Sequence, residues 1–187
     1  MINYVIPHKN EQEFIDVAEK LGYDELCFLY PAKDYKESKF ETKLKIRFGI
    51  ICSVRECSGA KHKSRFVVVR ATPHDNIRMI IEKLRPNCII GAEDVLGGDF
   101  LHHRSSGLNH ILTCLMAKFR ISYGVCFSDV LKKARKTDQA VLLGRIKQNI
   151  TLCRKSKVNV VVGSFCKNVF EMRCPTDTKI VLSNIDN

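Results

Sequence analysis

Seven short apolar runs punctuate the chain: "INYVIP" (2–7), "ELCFLY" (25–30), "LKIRFGIICS" (44–53), "FVVVRA" (66–71), "NCIIGAE" (87–93), "ISYGVCFS" (121–128) and "VNVVVGSF" (158–165). The third alternates Leu44, Ile46, Phe48 and Ile50 with Lys45, Arg47 and Gly49, a period of two. The others are β-branched and apolar at successive positions, as in strands covered on both faces. Between them the period lengthens. "NEQEFIDVAEKLG" sets Phe14, Val17, Ala18 and Leu21 on one helical face, with Gly22 as its stop. "TPHDNIRMIIEKLR" predicts a helix with Thr72 as N-cap and Pro73 in its first turn. A helix is expected from about Ser106 to Arg120, and a longer one across "TDQAVLLGRIKQNITLCRKSK". "AKDYKESKFETK" (32–43) has weak periodicity and reads as a loop or a stunted helix, "VRECSGAKHKSR" (54–65) as a basic loop, and the C-terminus as a loop with a weak final helix.

Strand–helix alternation with doubly buried strands predicts a parallel α/β sheet. Seven or eight such units suggest a small, abbreviated TIM-like β/α barrel; a doubly wound open sheet is the alternative, which periodicity alone does not decide. No linker, repeat or low-complexity segment interrupts the pattern, so residues 1–187 are expected to form a single barrel domain. No segment approaches the length of a membrane span, and "MINYVIPHKNEQEF" lacks the charged and apolar regions of a signal peptide; a cytoplasmic location is expected.

Charge changes the picture. The net charge is +11, which favours a polyanionic partner, and nucleic acid is the usual one. The excess is clustered: between Asp129 and Glu171 the only acid is Asp138, while Lys132, Lys133, Arg135, Lys136, Arg145, Lys147, Arg154 and Lys155 lie in that stretch. A solvated helix face ordinarily mixes both signs, so a run of one sign favours contact with phosphate. On the long helix Leu142, Leu143, Ile146, Ile150 and Cys153 are read as the core stripe, with Arg145 and Asn149 on one flank and Lys147 and Arg154 on the other.

The nine cysteines are scattered and form no Cys-x-x-Cys pair; Cys27, Cys88 and Cys126 fall inside apolar runs and read as small buried hydrophobes. Cys52, Cys57 and His62 could make three zinc ligands, but the spacing is irregular and no fourth is apparent. His102 and His103 are adjacent and would point apart in an extended segment. On the preceding-to-middle helix, Leu108, Ile111, Leu112, Leu115 and Phe119 form the stripe expected to face the sheet. His110 then lies opposite, with Thr113, Cys114 and Ala117, on an outer face covered by the chain or docking a partner. Glu93, Asp94, Asp99 and Asp129 follow strands, where barrel enzymes carry their chemistry, although loops and caps use Asp routinely. No Ser/His/Asp elbow, P-loop or dinucleotide fingerprint occurs.

"RSSGLNHILTCLMAKFRISYGVCFSDVL", "LLGRIKQNITLCRKSKVNVVVGSF" and "FEMRCPTD", in that order, closely resemble the archaeal form of the ribonuclease P protein component 3 family. The resemblance runs from about Asp94 to Asp177; the N-terminal half agrees in layout and loosely in residues. It implies a barrel related to the polymerase-and-histidinol-phosphatase family. It also implies a subunit of the ribonucleoprotein that removes the 5′ leader from precursor tRNA, in which the RNA carries the catalysis and no cofactor or metal is needed by this chain. The expected partners are ribonuclease P RNA, ribonuclease P protein component 2 and precursor tRNA. The motif positions give Arg104, His110, Lys118, Arg145, Lys147, Arg154, Lys155 and Arg173 as RNA-contact residues, with no catalytic residue. The hydrolytic relatives carry paired histidines on the first strand, where this chain has Tyr4 and Ile6. A metal-dependent phosphoesterase, with His8, His102 or Asp129 in its site, and a general binder of structured RNA are the alternatives.

Overall fold

The computed structural model describes residues 1–95, 98–99 and 104–184. All seven predicted strands form: β1 (Ile2–Val5), β2 (Glu25–Tyr30), β3 (Lys45–Cys52), β4 (Val67–Arg70), β5 (Cys88–Ile90), β6 (Ser122–Cys126) and β7 (Val160–Gly163). They pair in sequence order, every neighbour parallel. The sheet closes on itself at β1 and the turn after β7: Ile6 donates to the Cys166 carbonyl at 2.8 Å and Phe165 to the Tyr4 carbonyl at 2.6 Å. The Asn3 side chain fastens the same seam, donating to Ser164 Oγ at 3.0 Å and accepting from the Ser164 N–H at 2.8 Å. The result is the small TIM-like barrel, and the open-sheet alternative falls away.

The barrel interior is filled, not hollow. Tyr4, Cys27, Leu29, Val68, Cys88, Ile90, Cys126 and Phe165 pack inside it. Tyr4 stacks on Phe165 with centroids 5.3 Å apart. Small residues on neighbouring strands make room for these rings: a Cβ on Gly163 would stand 2.9 Å from Tyr4 Cδ2, and one on Gly49 2.7 Å from Phe66 Cδ1. The cysteines on three strands behave as hydrophobes; burial pushes the Cys27 and Cys88 thiols up to about 12.

Helices cover the outside: α1 (Glu11–Lys20), α2 (Cys57–Lys63), α3 (Ile77–Met79, running into a π-helical turn over Ile80–Leu84), α4 (His110–Phe119), α5 (Phe127–Lys132), α6 (Lys136–Lys155) and α7 (Pro175–Asn184). Among the described residues no helix lies between β2 and β3, where residues 31–44 run irregularly and pack Phe40 against Phe28. None of the described helices is long and apolar enough to cross a membrane.

Three local expectations are corrected. The 54–65 stretch is not a plain loop: it contains α2, whose Cys57 and Ala60, three apart, face inward. Thr72 does not cap a helix. Asp75 bends back to accept from the Thr72 N–H at 2.7 Å and its hydroxyl at 2.6 Å, making a separate turn. Asn76 then caps α3 by accepting from the Met79 N–H at 3.1 Å. The helix expected from Ser106 starts only at His110, because Asn109 is its N-cap, accepting from the Leu112 N–H at 2.9 Å.

Candidate nucleic-acid interface

The segment after β5 lies, in its described residues, against α6 on the outside of the barrel. Its backbone is pinned by buried polar groups. Asn149, fully buried on α6, donates to the Ser106 carbonyl at 2.8 Å. Asp99 accepts from the Ser105 N–H at 2.9 Å and from Arg145 Nε at 2.7 Å. Arg145 also reaches inward to the Glu93 carbonyl at 3.0 Å. Burial opposes charge on Asp99, but the Ser105 N–H and the Arg145 guanidinium outweigh it and hold the carboxyl below its ordinary value. Gly107 is required by backbone geometry. Its φ is +79°, and a Cβ there would collide with the Ala92 carbonyl oxygen.

Beneath this segment lies a second polar layer. Glu93 is 2 % exposed, and Tyr123, fully buried, donates its hydroxyl to Glu93 Oε2 at 3.0 Å. Burial raises the Glu93 carboxyl from 4.5 to about 7, against the lowering effect of its own backbone N–H and of Tyr123.

Where segment and helix meet they enclose a crevice of about 360 Å³, lined among others by Arg104, Ser106, Asn109, His110, Gln148 and Leu152. Gln148 donates to the Arg104 carbonyl at 3.4 Å, on the long side for a hydrogen bond. Further along, Thr113 Oγ1 and Ser156 Oγ, 2.8 Å apart, tie α4 to the end of α6.

The structure sorts the predicted RNA-contact residues. Arg104, His110, Lys118, Lys147, Arg154 and Lys155 are exposed. Arg104 and His110 rim the crevice, and Lys147, Arg154 and Lys155 occupy the outer side of α6 next to it. Lys118, at the end of α4, lies 5.7 Å from the Phe119 ring, which Arg85 also overlies at 4.2 Å. Arg173 sits elsewhere, half-buried after β7, donating to the Phe170 and Met172 carbonyls.

Arg145 is a correction. It is 7 % exposed, and its guanidinium is spent on Asp99 and Glu93 inside the wall. It positions the segment rather than presenting charge to a ligand. The α6 stripe is accordingly rotated: Leu142, Arg145, Ile146, Asn149, Ile150 and Cys153 face inward, and Leu143 is exposed. The α4 stripe is rotated too. Ile111 is exposed, while Thr113 and Met116 are buried, so the outer face around His110 carries Ile111 and Cys114 but not Thr113. The sequence pattern does not mark Arg85, Gln148, Asn149 or Ser106 as site residues; the one signal for Asn149 is its place beside the stripe.

At the C-terminal end of the barrel, where barrel enzymes work, the acids are tied to bases. Asp129 pairs with Arg70 at 2.7 Å, Asp94 with Lys133 at 3.4 Å and Glu171 with Lys132 at 3.4 Å. Arg70 also approaches Cys126 Sγ at 3.4 Å. Cys52 and Cys57 are buried while His62 is exposed, so that trio does not converge. Among the described residues no three His, Cys, Asp or Glu side chains gather closely enough to hold a metal ion. His102 and His103 lie outside the described residues.

Fold and site together define a small TIM-like β/α-barrel protein with a basic crevice on its outer wall. No family model matches the chain. A Methanococcus maripaludis protein called ribonuclease P protein component 3 is 22 % identical over 194 residues, covering 96 % of this chain and 81 % of the relative. A protein of the same name from Methanosarcina acetivorans is 32 % identical over 83 residues, 42 % of this chain and 34 % of that one. Among solved structures, a chain in a cryo-EM structure of archaeal ribonuclease P with mature tRNA superposes with a TM-score of 0.78. It is 18 % identical, and the match covers 99 % of this chain and 82 % of that one. The chain is thus similar to ribonuclease P protein component 3 along almost its whole length.

Proposed function

We propose that this chain is a protein subunit of ribonuclease P. In that role it supports the RNA that removes the 5′ leader from precursor tRNA, and the protein does not carry the chemistry. Residues 1–187 act as one domain, in the cytoplasm. The observation that carries the reading is the α4–α6 face. Arg104 and His110 rim a crevice beside Lys147, Arg154 and Lys155, on a segment held by the buried Asn149 and Arg145. Cations on one face suit the sugar–phosphate backbone of a structured RNA. By screening phosphate repulsion they lower the magnesium needed to fold it.

The RNA-contact residues under this reading are Arg104, His110, Lys118, Lys147, Arg154, Lys155 and Arg173. The partners are ribonuclease P RNA, precursor tRNA within the complex and ribonuclease P protein component 2. The exposed Ile111 and Cys114, beside His110 on α4, are the docking face offered to component 2.

The test is precursor-tRNA cleavage at limiting magnesium by ribonuclease P RNA and component 2, with and without this protein. Stimulation that requires the RNA is expected. Absence of stimulation, with hydrolysis of a generic phosphoester by the protein alone, would overturn the reading.

A further inference from the structure

Gly144 stands in the middle of the 20-residue helix α6, where alanine would make the better helix. The residue at its side explains it. An ideal Cβ built there would lie 2.5 Å from Arg104 Cζ and 3.1 Å from Arg104 Nε, and would run into Nη1. Arg104 therefore lies flat against bare helix backbone. Its own backbone has little freedom to follow a displaced side chain. The Arg104 carbonyl accepts from the Ser106 N–H at 2.9 Å, Ser105 Oγ donates to the Gly98 carbonyl at 2.8 Å, and Asn149 holds the Ser106 carbonyl.

Helix geometry shows what this arrangement builds. At 100° per residue, positions 144, 151 and 155 fall within about 20° of one line along α6, with 147 and 154 about 60–80° to one side. From 144 to 155 the rise is about 16 Å. Lys155 supplies a cation at the lower end of that line, and Lys147 and Arg154 flank it on one side. At its upper end α6 has no side chain of its own, and the Arg104 guanidinium occupies the place. The row of charge is thus assembled from two chain segments.

We propose that Gly144 is a positioning residue that seats Arg104 in the cation row of α6, and that the composite row binds the backbone of a structured RNA as one unit. The proposal rests on the RNA-binding reading above. Gly144 touches no RNA; it acts through Arg104. The three atoms nearest to such a Cβ all belong to the far end of the Arg104 side chain, so it is Arg104 that gives way when alanine stands here.

The experiment is a double-mutant cycle on the full chain with R104A, G144A and R104A/G144A. Binding to a ribonuclease P RNA transcript is titrated at several salt concentrations, and thermal midpoints are recorded alongside. R104A is expected to weaken binding roughly 3- to 10-fold and to reduce the slope of log K against log salt by about one. G144A should match it with an undiminished thermal midpoint, and the double variant should be no weaker than R104A alone. If G144A lowers the midpoint, G144S, which adds the same Cβ, is read for the same non-additivity at a temperature where it is folded. Wild-type affinity for G144A beside a weakened R104A would overturn the seat, as would additive losses. A neutral R104A would remove Arg104 from the row. A wild-type protein whose affinity for the RNA shows no salt dependence would instead sink the underlying functional reading.

Discussion

Replacing Glu93 by glutamine probes the polar layer that carries the interface segment. Glu93 is 2 % exposed and its carboxyl is raised from 4.5 to about 7, chiefly by burial. Between those two values the folded protein holds a proton that the unfolded chain has released. The slope of unfolding free energy with pH is therefore negative for this group, and stability falls as pH rises from about 4.5 to about 7, then levels. Raising the carboxyl from 4.5 to about 7 corresponds to about 3 kcal/mol. Glutamine cannot ionise and keeps an oxygen for the Tyr123 hydroxyl, now 3.0 Å from Glu93 Oε2. Its amide nitrogen, however, replaces an oxygen that faces the residue's own N–H, a loss of about 1 kcal/mol at every pH. The variant should be stabilised by about 2 kcal/mol at pH 8 and mildly destabilised at pH 4.5. Urea unfolding of both proteins at half-unit steps from pH 4.5 to 8 measures this, and the change of their difference with pH does not depend on the constant amide term. A difference that stays flat within about 0.5 kcal/mol would mean that Glu93 titrates as an exposed carboxylate, and the buried Glu93–Tyr123 layer would be refuted.

Removing the Arg145 guanidinium in R145M should cost roughly 3 kcal/mol in denaturant unfolding, because the Glu93 carbonyl loses the Arg145 donor and Asp99 loses its charged partner, keeping the Ser105 N–H. Neutralising Lys147 or Lys155 should do the opposite: the thermal midpoint stays put, while the salt slope of RNA binding falls by about one for each. Loss of the α4 cap in N109A should cost about 1 kcal/mol in the same unfolding assay, since Asn109 alone serves the Leu112 N–H.

Strands were the legible part of this chain. Runs such as "VVVR" and "CII" are buried on both sides because they face a filled barrel on one side and helices on the other. Helix faces were read less well, and α6 shows why. Arg145 and Asn149 carry polar side chains, so pattern alone assigns them to the flank and gives their place in the stripe to Leu143. Their burial depends on Asp99 and Ser106, acceptors some 40 residues away that no local period reveals. Helix α2 escaped because only Cys57 and Ala60 mark its inner side among basic residues. Of the interface, the exposed lysines and arginines were visible as a run of one sign. The approach of Arg104 to α6 was not; its single trace in the sequence is a glycine in mid-helix.

The seam between β1 and the turn after β7 also bears on how the molecule is made. Asn3 and Ser164 are joined across 161 positions of chain, and every strand between them is paired in parallel with its neighbours. During synthesis β1 therefore waits for the 161 positions up to Ser164 before its second edge is covered. Contacts of such high order close slowly, and an open β1 is an unpaired edge while they do. The polar Asn3, rather than another valine, on that strand gives the waiting edge one side chain that water can satisfy until Ser164 arrives.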